Sequence, residues 1–217
     1  MTENQRQSPV QFSVPALDAE ERDRWPVVLE YADEGQGPHL VDLSHLTRWD
    51  LQDRDLQQFR PGGVVVPERP GSCAFGNGVL VNRMNRTQAS IWHLNPGEPP
   101  GPPSESALTD VTEATVFLAL FGPGVFSIGE KLTALDLSRP EPKPPFLIQG
   151  PFSRVPCQIV VLERSGETDG GLLFTCSRGY AADMVDSVLS AGREFGLRPA
   201  GEKAFLRWLS SVFPETE

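Results

Sequence analysis

The chain has 217 residues, 39% hydrophobic and 22% charged, enough apolar material to bury a core in one domain of ordinary size. Its formal charge of -10, with no basic cluster to reverse it locally, argues against nucleic acid and anionic membrane as partners. Three widely spaced cysteines and three scattered histidines give neither a disulfide framework nor metal-ligand spacing, so no metal is expected.

The N-terminus, "MTENQRQSPV", lacks the apolar core of a secretory signal. The longest apolar-rich stretch, 116–129, is interrupted by Gly122-Pro123-Gly124 and is too short to span a bilayer. A soluble, cytoplasmic chain is the expectation. Residues 1–10 read as a disordered tail and 11–217 as one domain with two lobes, about 11–100 and 104–213.

In chain order, a helix is predicted from Asp18 to Tyr31, followed by one strand-like segment from His39 to Leu51. That segment contains "VDLSHLTRWDL", in which Asp42, Ser44 and His45 supply the three residue types of a nucleophilic triad. Strand alternation puts Asp42 and Ser44 on one face and His45 on the other, so the three cannot relay a proton, and no G-x-S-x-G elbow exists. A hydrolase is not expected.

"LQDRDLQQF" reads as one or two helical turns, with Leu51, Leu56 and Phe59 inside. "GVLVNRM" and "ASIWHLN" read as strands. The run "PGEPPGPPSES" is the clearest linker and divides the chain near Gly101. Beyond it, "TEATVFLALFG" is a buried strand, and a helix follows with Pro123 in its first turn and Ile128, Leu132 and Leu135 at helical spacing.

"PFLIQG" is a short strand, and "VPCQIVVLERSGETDGGLLFTCS" a hairpin. With its turn near Glu167 and Thr168, Cys157, Ile159 and Val161 share an apolar face with Leu172, Phe174 and Cys176, and the two cysteines are packed thiols. A helix from Tyr180 to Phe195 directs Met184, Val188, Ala191 and Phe195 inward and stops at Gly196. The order strand–helix–strand–strand–strand–helix predicts an α+β layer, an antiparallel sheet with helices on one face.

These residues carry a family likeness. "VDLSHLTRWDL" resembles the Asp-Leu-Ser-His segment of the glycine-cleavage T-proteins (aminomethyltransferases). "TDVTEATVFLALFGPGVFSIGEKLTALDL" resembles that family's second-half strand, Gly-Pro turn and helix. "SRGYAADMVDSVLSAGREFGLRPAG" resembles its closing helix and the Gly-Leu-x-Pro-x-Gly after it. The second half is equally similar to the gamma subunit of heterotetrameric sarcosine oxidase. The resemblance implies a two-lobed folate-binding fold whose central cavity holds tetrahydrofolate in the enzymes. Those enzymes also carry a C-terminal barrel, which this chain is expected to lack.

The resemblance also implies site positions. Asn95 stands for the family's asparagine, and counting back sixteen residues to its functional aspartate lands on Val79, which can neither move a proton nor stabilise charge; Asn77 and Asn82 do not restore the acid. In the hairpin turn, "RSGETDGG" lacks the family's tyrosine and is one residue shorter. Glu167 and Asp169 are the carboxylates left to meet a pterin, as an alternative to a solvated acidic tip.

The family arginine falls at Leu209, and Arg207, two residues early, is turned by about 200° on a helix. The iron–sulfur-repair branch is set aside because "VPCQIV" does not match its cysteine motif. Two functions remain. One is a non-catalytic subunit like the sarcosine oxidase gamma subunit, with protein partners that include a flavin amine oxidase complex. Its contact surface would draw on Trp49, Phe205, Trp208 or Phe213. The other is a tetrahydrofolate-dependent one-carbon transferase.

Overall fold

The structure is a computed structural model and describes residues 5–96, 100–101, 105–164 and 170–214. It departs from the sequence pattern first at residues 16–31. These form a hairpin, β1 (Ala16–Arg22) and β2 (Trp25–Tyr31), in place of the expected helix. Asp23 and Arg24 take φ of 49° and 65°, as a two-residue hairpin turn demands. Trp25 and Val27 point inward with exposed Pro26 between them, a strand period. β1 is largely exposed and so offers no apolar rhythm to read.

The expected strand 39–51 is two strands, β3 (His39–Asp42) and β4 (Arg48–Gln52), in different sheets. The break comes where the Asp42 carboxylate accepts the Ser44 N–H at 2.9 Å and Leu46 N–H bonds the Leu43 carbonyl, which turns the chain. Leu56 is buried in a single 3-10 turn.

Then come β5 (Cys73–Gly76), β6 (Val79–Arg83), β7 (Gln88–His93) and β8 (Leu108–Asp110). β9 (Thr115–Gly122) leads to α1 (Val125–Leu132). α1 starts after left-handed Gly124 and is shorter than expected. Thr133 ends it by turning its hydroxyl to the Pro151 carbonyl, 2.7 Å, and accepting the Leu135 N–H.

β10 (Phe146–Phe152), β11 (Val155–Glu163) and β12 (Gly170–Ser177) precede α2 (Ala181–Gly192). A 3-10 turn, Arg193–Phe195, extends α2 to Gly196, whose φ of 75° stops it. β13 (Arg198–Ala200) and α3 (Glu202–Val212) close the described chain.

Apart from the β1–β2 hairpin there are two sheets, of six strands (β10-β11-β12-β9-β3-β13) and five (β5-β6-β7-β4-β8). All pairings are antiparallel except β13 with β3. The sheets exchange strands across the Pro-rich run: β3 joins the six-stranded sheet and β8 the five-stranded one. The fold is α+β, with no closed barrel among the described residues. No helix in it is long and apolar enough to cross a membrane.

Three apolar clusters order the layers. The first lies between the six-stranded sheet and α1 and α2. It contains all six residues of the Cys157–Cys176 hairpin face and the α2 residues Met184 and Val188. The register Gln158↔Thr175 and Ile159↔Phe174 sets the two cysteines opposite one another, and both are free and buried. The second cluster fills the space between the sheets and takes in α3. The third covers the far face of the five-stranded sheet with Leu56, Val64 and Val66.

From Gln5 onward the segment expected as a tail makes contacts with the rest of the chain. Val10 is buried, the Ser8 hydroxyl donates to Asp42, and Arg6 pairs with Asp23 and Glu113. A polar composition hid these contacts because each is made to a residue distant in sequence.

Candidate functional site

The Asp-Leu-Ser-His turn between β3 and β4 is a junction of the fold. Asp42 caps the turn. Ser44, fully buried, accepts the backbone N–H of Phe117 on β9 at 3.2 Å. His45 Nε2 lies 2.8 Å from Glu202, the first residue of α3. The three side chains therefore serve three different neighbours. Among the described residues no hydrogen bond links serine to histidine or histidine to aspartate, so no triad exists.

Glu202 is 2% exposed and also accepts both terminal nitrogens of Arg22, each at 2.9 Å. Burial alone would raise its carboxyl pKa. The hydrogen bonds and charges of His45 and Arg22 outweigh burial and hold it at about 2. One carboxylate thus ties β1, the turn and α3 together.

Arg48, 1% exposed, is the second buried charge. Its guanidinium donates to the carbonyls of Leu46, Thr112 and Thr115 at 2.6, 2.5 and 3.0 Å and to the Thr115 hydroxyl at 3.1 Å. Burial lowers its pKa to about 9, against the pull of Asp42 and Asp110. Sequence reasoning missed Arg22, Arg48 and Glu202, because their partners lie up to 180 residues away.

Of the positions the resemblance implied for the site, Val79 is 5% exposed and belongs to the apolar cluster on the far face of the five-stranded sheet. Its cross-strand partner is His93. Burial lowers the His93 pKa to about 4, with Asp110 pulling the other way, so the ring is neutral near pH 7. Its Nε2 has no partner, and its ring meets Trp49 edge-on at 4.5 Å.

Asn95 is exposed and donates to the Asn77 carbonyl at 3.2 Å. It lies so close over Gly78 (φ 69°) that a Cβ there would fall 1.8 Å from its side-chain oxygen. Asn95 thus clamps the β5–β6 turn. Asn82 is fully buried on the other face of β6. Glu167 and Asp169 lie outside the described residues. Leu209 is buried and Arg207 exposed, so no arginine enters from α3.

Beside these residues the space between the sheets is largely filled among the described residues. Arg22, His45, His93 and Asn95 border a gap of about 20 Å³, which holds a single water. α3 fills the rest from the side. Phe205 is 0% exposed, and Trp208 stacks on Phe121 at 4.9 Å. A Cβ on Gly171 would come within 2.0 Å of the Trp208 indole, so the missing side chain makes room for the ring.

The expected exposed patch on this helix is therefore corrected: Phe205 is core, Trp208 and Phe213 are half-buried, and Phe213 packs on Phe75 at 4.3 Å. Trp49 is likewise half-buried against the protein's own third cluster. Among the described residues there is no cluster of side chains that could hold a metal.

No family model matches the sequence. The chain is 27% identical over 165 residues to an aminomethyltransferase of Geobacillus thermodenitrificans (strain NG80-2), across 70% of this chain and 43% of that protein. It is 34% identical over 95 residues to an aminomethyltransferase of Shouchella clausii (strain KSM-K16), across 43% of this chain and 25% of that protein. The matches thus span less than half the length of these relatives.

Among solved structures, a chain of the heterotetrameric sarcosine oxidase from Corynebacterium sp. U-96, in complex with pyrrole 2-carboxylate, aligns with a TM-score of 0.59 at 19% identity. That alignment covers 76% of this chain and 88% of that one. The glycine cleavage system aminomethyltransferase T from Bartonella henselae aligns at 0.54 and 13%, over 86% of this chain and 56% of that one. Sequence likeness to two aminomethyltransferases and the fold shared with these two solved structures agree in relating the chain to the glycine-cleavage T-proteins.

Proposed function

We propose that the chain is a non-catalytic protein subunit built on the T-protein fold, working in the cytoplasm as part of a larger assembly. The observation that carries this reading is the filling of the family's ligand space. α3 drives Phe205 and Trp208 into the space between the sheets, and Val79, at the position of the family's acid, turns away into the apolar cluster on the far face of the five-stranded sheet. A chain that keeps the shape and gives up the cavity retains contact as its use.

The likeness to a chain of a heterotetrameric sarcosine oxidase supports protein partners, with a flavin amine oxidase complex as the assembly of choice. The test is size-exclusion chromatography of native extract, with mass spectrometry of what co-elutes. Elution in a complex with an amine-oxidising flavoprotein is expected. Elution as a lone monomer would overturn the assembly. A tetrahydrofolate-dependent rise in melting temperature would restore the transferase alternative.

A further inference from the structure

The space between the sheets has two characters. Toward α3 it is apolar and full. At the opposite end, where β7 begins and β12 ends, the inward side chains are polar. There they border a cavity of about 190 Å³ whose walls include Asp50, Gln88, Ser90, Trp92, Gln158 and Thr175. Ser90 lies five residues before Asn95, about 16 Å at about 3.3 Å per strand residue, and this cavity shares no lining residue with the gap beside His93 and Asn95.

Its walls are rich in acceptors. The Gln158 amide oxygen is buried with no donor. Asn82, fully buried behind Ser90, donates its amide to the Ser90 hydroxyl at 3.4 Å, and its own oxygen too has no donor. The Asp50 carboxylate is met by the neutral amides of Gln88, at 2.8 Å, and Gln52; among the described residues it has no cationic partner. The Ser90 and Thr175 hydroxyls add lone pairs.

Arg48 also borders the cavity, but its N–H groups are taken up by backbone carbonyls and the Thr115 hydroxyl. A buried acceptor without a donor is costly, and a donor in the cavity that reaches Gln158 relieves that cost. Trp92 supplies an aromatic wall on which an alkyl group or an ammonium can rest.

We propose that this cavity is a binding site for a small organic molecule that carries N–H donors, a primary amine or a primary amide. The volume admits a small molecule of several non-hydrogen atoms. Gln158 and Asp50 receive the N–H groups, and Trp92 receives the carbon portion. The inference stands independently of the subunit reading.

The test is a ¹H–¹⁵N NMR titration of the full chain with methylammonium, with acetamide, and with tetramethylammonium, which has no N–H. Saturable shifts of the Gln158 and Asn82 side-chain amides and the Trp92 indole are expected with methylammonium or acetamide, the responding probe naming the class. None is expected with tetramethylammonium. Gln158→Leu should weaken binding about tenfold, the effect of losing one hydrogen bond to a charged or strongly polar donor. Thr175→Val, which keeps the shape, should weaken it less, and serves if the first variant does not fold. Equal responses in wild type and variants, or crystals grown with both probes that show only water in the cavity, would overturn the proposal.

Discussion

Replacing Glu202 with glutamine tests the junction that holds three elements together. The native carboxylate is 2% exposed, receives two bonds of 2.9 Å from Arg22 and one of 2.8 Å from His45, and titrates at about 2 instead of the ordinary 4.5. A difference of about 2.5 pH units at about 1.36 kcal/mol each corresponds to about 3.4 kcal/mol of stability at pH 7.

Because the folded pKa is depressed, that stability is fully present above about pH 4.5 and is lost as the pH falls through about 2. By the same relation about 1.4 kcal/mol survives at pH 3. Glutamine keeps the shape and removes the charge, which leaves the Arg22 guanidinium without its carboxylate. Urea unfolding followed by tryptophan fluorescence should show Glu202→Gln less stable by about 3 kcal/mol at pH 7, a loss of about 6–12 °C in Tm for a chain of this size. The deficit should shrink by more than half at pH 3. A variant as stable as wild type at pH 7, or a deficit unchanged between pH 7 and pH 3, would refute the reasoning.

Ser44→Ala should cost about 1–3 kcal/mol, read as a lower urea midpoint at unchanged slope, because it strands the buried N–H of Phe117. Phe205→Ala should cost about 3–5 kcal/mol, since the emptied site lies between two sheets and cannot easily collapse. Cys157 and Cys176 should react with a thiol reagent only as fast as the protein opens. Both are buried, and the neighbouring Cys176 thiol, with burial, raises the Cys157 thiol pKa. Labelling at the rate of a free thiol would contradict the hairpin register.

Where one periodicity governed a whole element, the sequence was enough. The alternation through β11 and β12 placed Cys157, Ile159, Leu172 and Phe174 on one buried face, and the stripe Met184–Val188 together with Gly196 set the inner side and the end of α2. The β1–β2 hairpin was not legible in this way. Only Trp25 and Val27 of its residues are buried, and two apolar anchors do not distinguish a strand from a helix.

The resemblance pointed to Val79 and Asn95 as site positions, yet it could not tell that Asn95 folds back on the Asn77 carbonyl or that Trp208 of α3 stacks on Phe121. The turn at Asp42, Ser44 and His45 marks the limit most clearly. Composition supplied three reactive residue types side by side, and local geometry excluded a triad. The partners that give them their roles, Phe117 and Glu202, lie 73 and 157 residues along the chain. Periodicity is a property of neighbours, so sequence determined which faces are buried. Hydrogen bonds between distant residues form only when the chain closes on itself, so the role of this turn was decided by the tertiary structure.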